Sequence, residues 1–234
     1  MKRFWDRAAA SPVEGGFTVL LDGRPLRLPG RGSLVLPRAP LAEAVALEWQ
    51  EAGGAKGGEM QMEEVPLTRV VATALERLAS DPAPSVAALA KYGETDLLCY
   101  RAEEPRLAAR QAEAWQPLLD WAALQLDAPL RVTTGVMPVT QSPEALAALR
   151  AALALLPVLE LAALGVAVPA LGSAVLGLAL ARDRVDAEEA CRLAFLDETF
   201  QQELWGADEE ALARQQAVVE DVRLAGRLLA LARA

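Results

Sequence analysis

The chain has 234 residues, with 23 Lys and Arg against 32 Asp and Glu and a net charge of −9. That balance lacks the basic stripe a phosphate backbone needs, so nucleic acid is not an expected partner. There is no histidine, which excludes Ser-His-Asp and Cys-His catalysis and every histidine-bearing zinc site.

The N-terminal MKRFWDRAAASPVEGG has no apolar run and does not read as a secretory signal. Asp6 and Glu14 argue against a mitochondrial presequence. Residues 16–36 read as short antiparallel strands. GFTVLL ends at Asp22-Gly23, a type I′ hairpin signal, and RPLRLP, a Gly-Arg-Gly turn and SLVLP follow. Pro25, Pro29 and Pro37 point to short or edge strands. Pro40 suits the first turn of a helix carrying Leu41, Val45, Glu48 and Trp49. GGAKGGE at 53–59 lacks the order of a phosphate-binding loop.

A second helix is expected from Pro66, and a third runs from about Pro84 to Gly93. TDLLCYR at 95–101 reads as a strand or an extended connection. A long helix starts at Pro105, with a kink or break at Pro117. LRVTTGV at 130–136 is a further strand candidate, and Ser142-Pro143 opens the next helix. Residues 161–181 carry no charge and are long enough to span a bilayer. Alanine and glycine dominate the run, however, and Gly165 and Pro169 divide it. Two shorter buried helices are expected, and no membrane insertion.

Residues 186–206 read as one helix with two faces. Steps of 100° put Leu193, Leu196, Phe200 and Leu204 on an ordinary core stripe. Cys191, Phe195, Glu198, Gln202 and Trp205 fall nearly opposite, where a surface helix is normally polar. Gly206 stands where a C-cap is expected. The last helix runs from about Asp208 to Ala232.

Little of this supports catalysis. Asp197 and Glu198 diverge on a helix and do not face each other. Glu94 and Asp96 are expected to be solvated or paired with Lys91 or Arg101. Cys99 and Cys191 lack CxxC spacing, so a reducing compartment is expected, and no metal or cofactor. Five tryptophans and many arginines favour a protein-binding role. The alternative is a small-molecule-binding protein or enzyme with a pocket between two domains.

Eight segments occur in the order shared by a known family: KRFW at 2–5, LDGRPLRLP at 21–29, LAEAVALEW at 41–49, PLT at 66–68, TDLLCYR at 95–101, EAWQPLLDW at 113–121, LGS at 171–173 and DETFQQELWG at 197–206. Together the chain resembles the F1-ATPase assembly chaperones that act on the alpha subunit of ATP synthase. The resemblance implies no enzyme and no cofactor. It implies that the chain shields the apolar assembly surface of the free alpha subunit until the beta subunit takes that place. It also implies an α+β fold, a small N-terminal antiparallel β-rich domain (1–104) followed by a mainly helical C-terminal domain (105–234). The acidic position tied to function maps onto Glu198, with Phe195, Gln202 and Trp205 beside it as partner-binding candidates. Trp49 maps onto a structural position, and Asp96, Arg101 and Gly206 lie within the shared segments. A bacterial, cytoplasmic form is implied, its eukaryotic relatives working in the mitochondrial matrix. Nothing in the pattern suggests a coiled coil, and a monomer is expected.

Overall fold

The computed structural model describes every residue except Pro29 and Arg31, and the described chain forms two compact units. The first comprises Met1–Pro82, Val158–Ala163 and Arg227–Ala234, and the second Ala83–Pro157 and Leu164–Gly226.

In the first unit β1 (Ala8–Val13), β2 (Gly16–Leu21) and β3 (Arg24–Pro25) form an antiparallel sheet in that order. Leu21 pairs with Arg24, which leaves Asp22 and Gly23 as a two-residue turn. Their φ values, 47° and 78°, are both positive, as a type I′ turn requires. β1 is a strand that pattern reading does not reveal. AAASPV has no aromatic and a single β-branched residue, and it pairs along its whole length with β2. Among the described residues, the expected strands after β3 are represented by isolated bridges, Phe17 with Leu36 and Arg27 with Ser33. Pro29 and the centre of the Gly-Arg-Gly turn, Arg31, lie outside the described residues.

Helix α1 (Ala39–Glu51) has Pro40 in its first turn and packs across β1 and β2. Helix α2 (Pro66–Thr73) continues into a wider π turn at Ala74–Leu78. The core between sheet and helices holds Trp5, Val19, Leu36, Leu41, Val45, Trp49, Met60, Leu67 and Val71. Arg3 is buried as well. Its guanidinium donates to the backbone carbonyls of Trp5, Gln50, Ala52 and Gly54, so main chain rather than an acid satisfies it.

In the second unit α3 (Ala83–Ala90) leads through short 3₁₀ turns, Lys91–Gly93 and Leu97–Cys99, to β4 (Tyr100–Arg101). Helix α4 (Pro105–Gln125) follows, with Pro117 inside an unbroken helix rather than at a break. β5 (Thr133–Thr134) pairs in parallel with β4, so each strand candidate contributes only two residues. Helix α5 (Pro143–Ala154) packs on α3. Residues 83–104 belong to the second unit, where α3 meets α5.

The uncharged stretch forms α6 (Val158–Leu171) and α7 (Ala174–Ala181). Gly165 and Pro169 lie inside α6, and the break falls at Gly172, whose φ of 65° is left-handed. All eight residues of α7 are buried, as befits a helix apolar all round. A Cβ at Gly177 would stand 2.3 Å from Val168 Cγ2, so only glycine permits this approach of α7 to α6. Among the described residues no helix is long and apolar enough to cross a membrane. Helices α8 (Ala187–Ala194), α9 (Leu196–Trp205) and α10 (Glu209–Arg233) complete the chain.

Each unit holds a helix N-terminus with a buried carboxylate from another segment. Such termini leave backbone N–H groups without partners inside the helix. Glu48 on α1 accepts from Leu67 N at 2.6 Å, Thr68 N at 2.9 Å and Thr68 Oγ1 at 2.9 Å. Trp49 Nε1 donates to the same Thr68 hydroxyl at 3.0 Å, and Trp5 Nε1 donates to the Trp49 carbonyl at 2.9 Å. Asp96 accepts from Ser173 Oγ at 2.6 Å, Val175 N at 3.1 Å and Leu98 N at 3.1 Å. It thereby ties the 97–99 turn to the start of α7.

Glu48→Ala strips three donors of their acceptor. A loss of about 2–4 kcal/mol is expected, read as a lower urea midpoint. An unchanged midpoint would mean that water replaces the carboxylate at no cost. Burial pushes the Asp96 carboxyl from 3.8 up to about 6, against the hydrogen bonds that favour its charge. The folded chain thus binds this proton more tightly than the unfolded one. Its contribution to stability is full below pH 3.8 and is lost as the pH rises through about 6. Asp96→Asn should remove this dependence and lower stability at every pH, because an amide N–H₂ cannot accept from the converging donors. Parallel pH slopes for the two proteins, measured by urea melts, would refute the assignment.

Candidate functional site

The stretch 186–206 is two helices, not one. Asp186 caps α8 by accepting from Glu189 N at 2.8 Å, and α8 ends at Phe195 (φ −96°, ψ 17°). In a continuous helix the Leu193 carbonyl would accept from the amide four residues on. Here Trp115 Nε1 of α4 takes it, at 2.9 Å and buried. The indole thus satisfies a carbonyl at the end of α8, and α9 restarts at Leu196.

One face of α9 is committed to α4. Gln111 Nε2 donates to Asp197 Oδ1 at 2.7 Å, and Arg110 pairs with Glu203 at 2.7 Å. Between them the guanidinium carbons of Arg106 and Arg110 lie 5.7 Å and 5.2 Å from the centroid of the buried Phe200 ring. Positions 197, 200 and 203 are one helical turn apart, so they form a single stripe.

The other face carries the four partner-binding candidates. Phe195 is half-buried at the junction, Glu198 is exposed and Gln202 is half-buried. Gln202 Nε2 donates to Gln215 Oε1 of α10 at 3.2 Å. Trp205 is 78% exposed, and Leu204 beside it 46%. Leu204 is therefore exposed rather than in the core position expected for it, because α9 packs through Asp197, Phe200 and Glu203. Although the Glu198 residue is exposed, surrounding protein crowds its carboxyl. That desolvation raises its pKa, with the Asp197 charge adding to the effect. Gly206 ends α9 with φ 89°, donating its N–H to the Gln202 carbonyl.

The remaining motif residues are built into the frame. Asp96 is fully buried on Ser173 and backbone donors, neither solvated nor paired with Lys91 or Arg101 as expected. Arg101, also buried, donates to the carbonyls of Leu98 at 2.6 Å and Tyr100 at 3.0 Å. Its guanidinium carbon lies 5.5 Å from the Trp115 ring centroid, a cation–π contact. Trp49 is buried in the first unit. Burial pushes the Cys99 thiol up to about 12 and the Cys191 thiol to about 11, so neither offers a reactive thiolate. Among the described residues no group of three His, Cys, Asp or Glu side chains is placed to hold a metal ion.

Sequence reading missed Glu48 and Trp115 as organisers. Glu48 sits one residue from Trp49 on a helix whose other inward positions are apolar, and a lone acid there was the available signal. Nothing in the sequence marks Trp115 as a competitor for the Leu193 carbonyl.

Comparison with known proteins places this arrangement. The family model described as ATP12 chaperone protein matches residues 2–123. The crystal structure of Atp12 from Paracoccus denitrificans superposes with a TM-score of 0.91 at 45% identity, covering 99% of this chain and 98% of that one. A candidate chaperone from Agrobacterium tumefaciens superposes at 0.88 with 40% identity, over 98% of this chain and 85% of that one. The mitochondrial protein atp12 of Schizosaccharomyces pombe is 26% identical over 222 residues, which is 90% of this chain and 75% of that protein. With its small N-terminal antiparallel sheet, its helical remainder and this match over half its length and more, the chain belongs to the ATP12 chaperone family.

Proposed function

We propose that this protein is an assembly chaperone of F1-ATPase that holds the free alpha subunit, prevents its aggregation and yields it to the beta subunit. It works without catalysing a reaction, as a monomer, in the cytoplasm of a bacterium. The observation that carries this reading is likeness over nearly the whole chain to the Paracoccus denitrificans Atp12 structure. The higher identity to that protein than to the fission-yeast mitochondrial one supports the bacterial setting.

The exposed face of α9 suits such a task. An unassembled subunit exposes an apolar patch that aggregates unless covered. Trp205 supplies a large exposed aromatic surface at the end of the helix, and aromatic side chains are common interface anchors. Glu198, two turns earlier and crowded by protein, supplies a charge that discriminates between partners. Its natural mate is an arginine of the alpha subunit, through a charge-assisted hydrogen bond.

Glu198→Lys should leave the melting transition within about 0.5 kcal/mol of the parent, as expected for an exposed position away from the packed stripe. It should weaken capture of the alpha subunit at least tenfold, measured by light scattering of the diluted subunit and by co-purification. A variant that protects the subunit as well as the parent would remove Glu198 from the contact. Equal protection of unrelated unfolded proteins would remove the specificity.

A further inference from the structure

The first unit contains a cavity of about 800 Å³, apart from the exposed face of α9. One wall is a single helical stripe, Arg69, Ala72, Thr73, Glu76 and Arg77, running from α2 into the π turn. The opposite wall is β3 and the residues after it, with Arg24, Leu26 and Arg27. Phe4, Met1 and Met62 also line it, and these are 53%, 59% and 39% exposed. Three large apolar side chains thus gather in one concave place instead of being scattered, as is usual on a monomer.

The charge around this floor opposes that of the whole protein. The chain carries −9, yet four arginines line the cavity, with Glu76 as the sole acidic side chain among its described lining residues. Glu76 already accepts from Gly30 N at 2.8 Å. Among the described residues no carboxylate pairs with Arg24, Arg69 or Arg77. Arg69 and Arg77 are eight residues apart, roughly 12 Å along a helix. A single headgroup is too short to answer both, and the hairpin wall brings two further arginines. The matching ligand carries several carboxylates spaced along an apolar body.

We propose that this cavity is a second docking site, which takes an acidic amphipathic segment of about two helical turns from the polypeptide client. Apolar side chains of the segment rest on Phe4, Leu26 and Met62, and its carboxylates meet arginines on both walls. This is the helix-in-groove mode of recognition, with flexible methionines at the edge to adapt to the occupant. The client identity rests on the chaperone reading above, whereas the groove's chemistry does not.

The test uses the full chain and a fluorescein-labelled peptide of about three turns, with leucines on one face and glutamates along both edges. Anisotropy should show saturable binding that weakens at least tenfold in Arg69→Glu/Arg77→Glu, and also when each glutamate of the peptide becomes lysine. Phe4→Ala should weaken it severalfold, and circular dichroism should confirm that both variants keep the parent fold. Alpha-subunit aggregation assays run in parallel should show weaker protection by the double variant. Indifference of the peptide to its charge or to the arginine reversals would overturn the proposal. So would full protection by the double variant, or one-to-one displacement of the peptide by palmitate. If the parent fails to protect the alpha subunit while the peptide pattern holds, that client falls and the groove stands.

Discussion

Glu48 and Asp96 solve the same problem in the two units. A buried helix N-terminus presents N–H groups that the helix itself cannot satisfy, and neither α2 nor α7 can meet that need with water at these positions. In the first unit the Glu48 carboxylate spans from α1 to α2, and Trp49 and Trp5 extend the network back to the N-terminal segment. In the second, Asp96 joins the 97–99 turn to an entirely buried helix. Both carboxyls are raised in pKa by burial, while the donors around them favour the ionised form. The fold accepts that electrostatic cost because several segments far apart in sequence are fixed by one group each.

The Trp115 indole has a different effect. It donates to the Leu193 carbonyl where α8 ends, and beyond that break α9 lays Asp197, Phe200 and Glu203 against α4. The opposite side of α9 is then left outward, with Glu198 and Trp205 on it. An aromatic-and-acid face is thereby presented by a helix held firmly from behind. Rigid support lowers the entropy that an interface must lose on binding.

Among the described residues both cysteines are buried, and the exposed side of α9 carries an aromatic and an acid. A chaperone that must release its client gains from contacts that are apolar enough to shield and charged enough to discriminate. The α9 face and the arginine-lined groove of the first unit each combine the two, with opposite sign. A client that carries both an arginine and an acidic amphipathic segment would be selected twice.

Composition and pattern by themselves determined much of this protein. The absence of histidine removed whole classes of chemistry, Asp22-Gly23 specified a turn, and Pro40, Ser142 and Asp186 marked helix starts where the structure has them. Ordered segments such as TDLLCYR pointed to the family. What sequence could not decide was how polar groups are satisfied over long separations. β1 is invisible as a strand because only Val13 among its residues favours a strand, and its pairing is with β2. The break at Phe195, the burial of Asp96 and the exposure of Leu204 and Trp205 all depend on partners between about 80 residues away and none at all. Local preference is a short-range quantity, whereas the competition for one backbone carbonyl or one buried carboxylate is settled only when distant segments meet. Tertiary structure therefore decided which face of the 186–206 stretch is packed and which is left exposed.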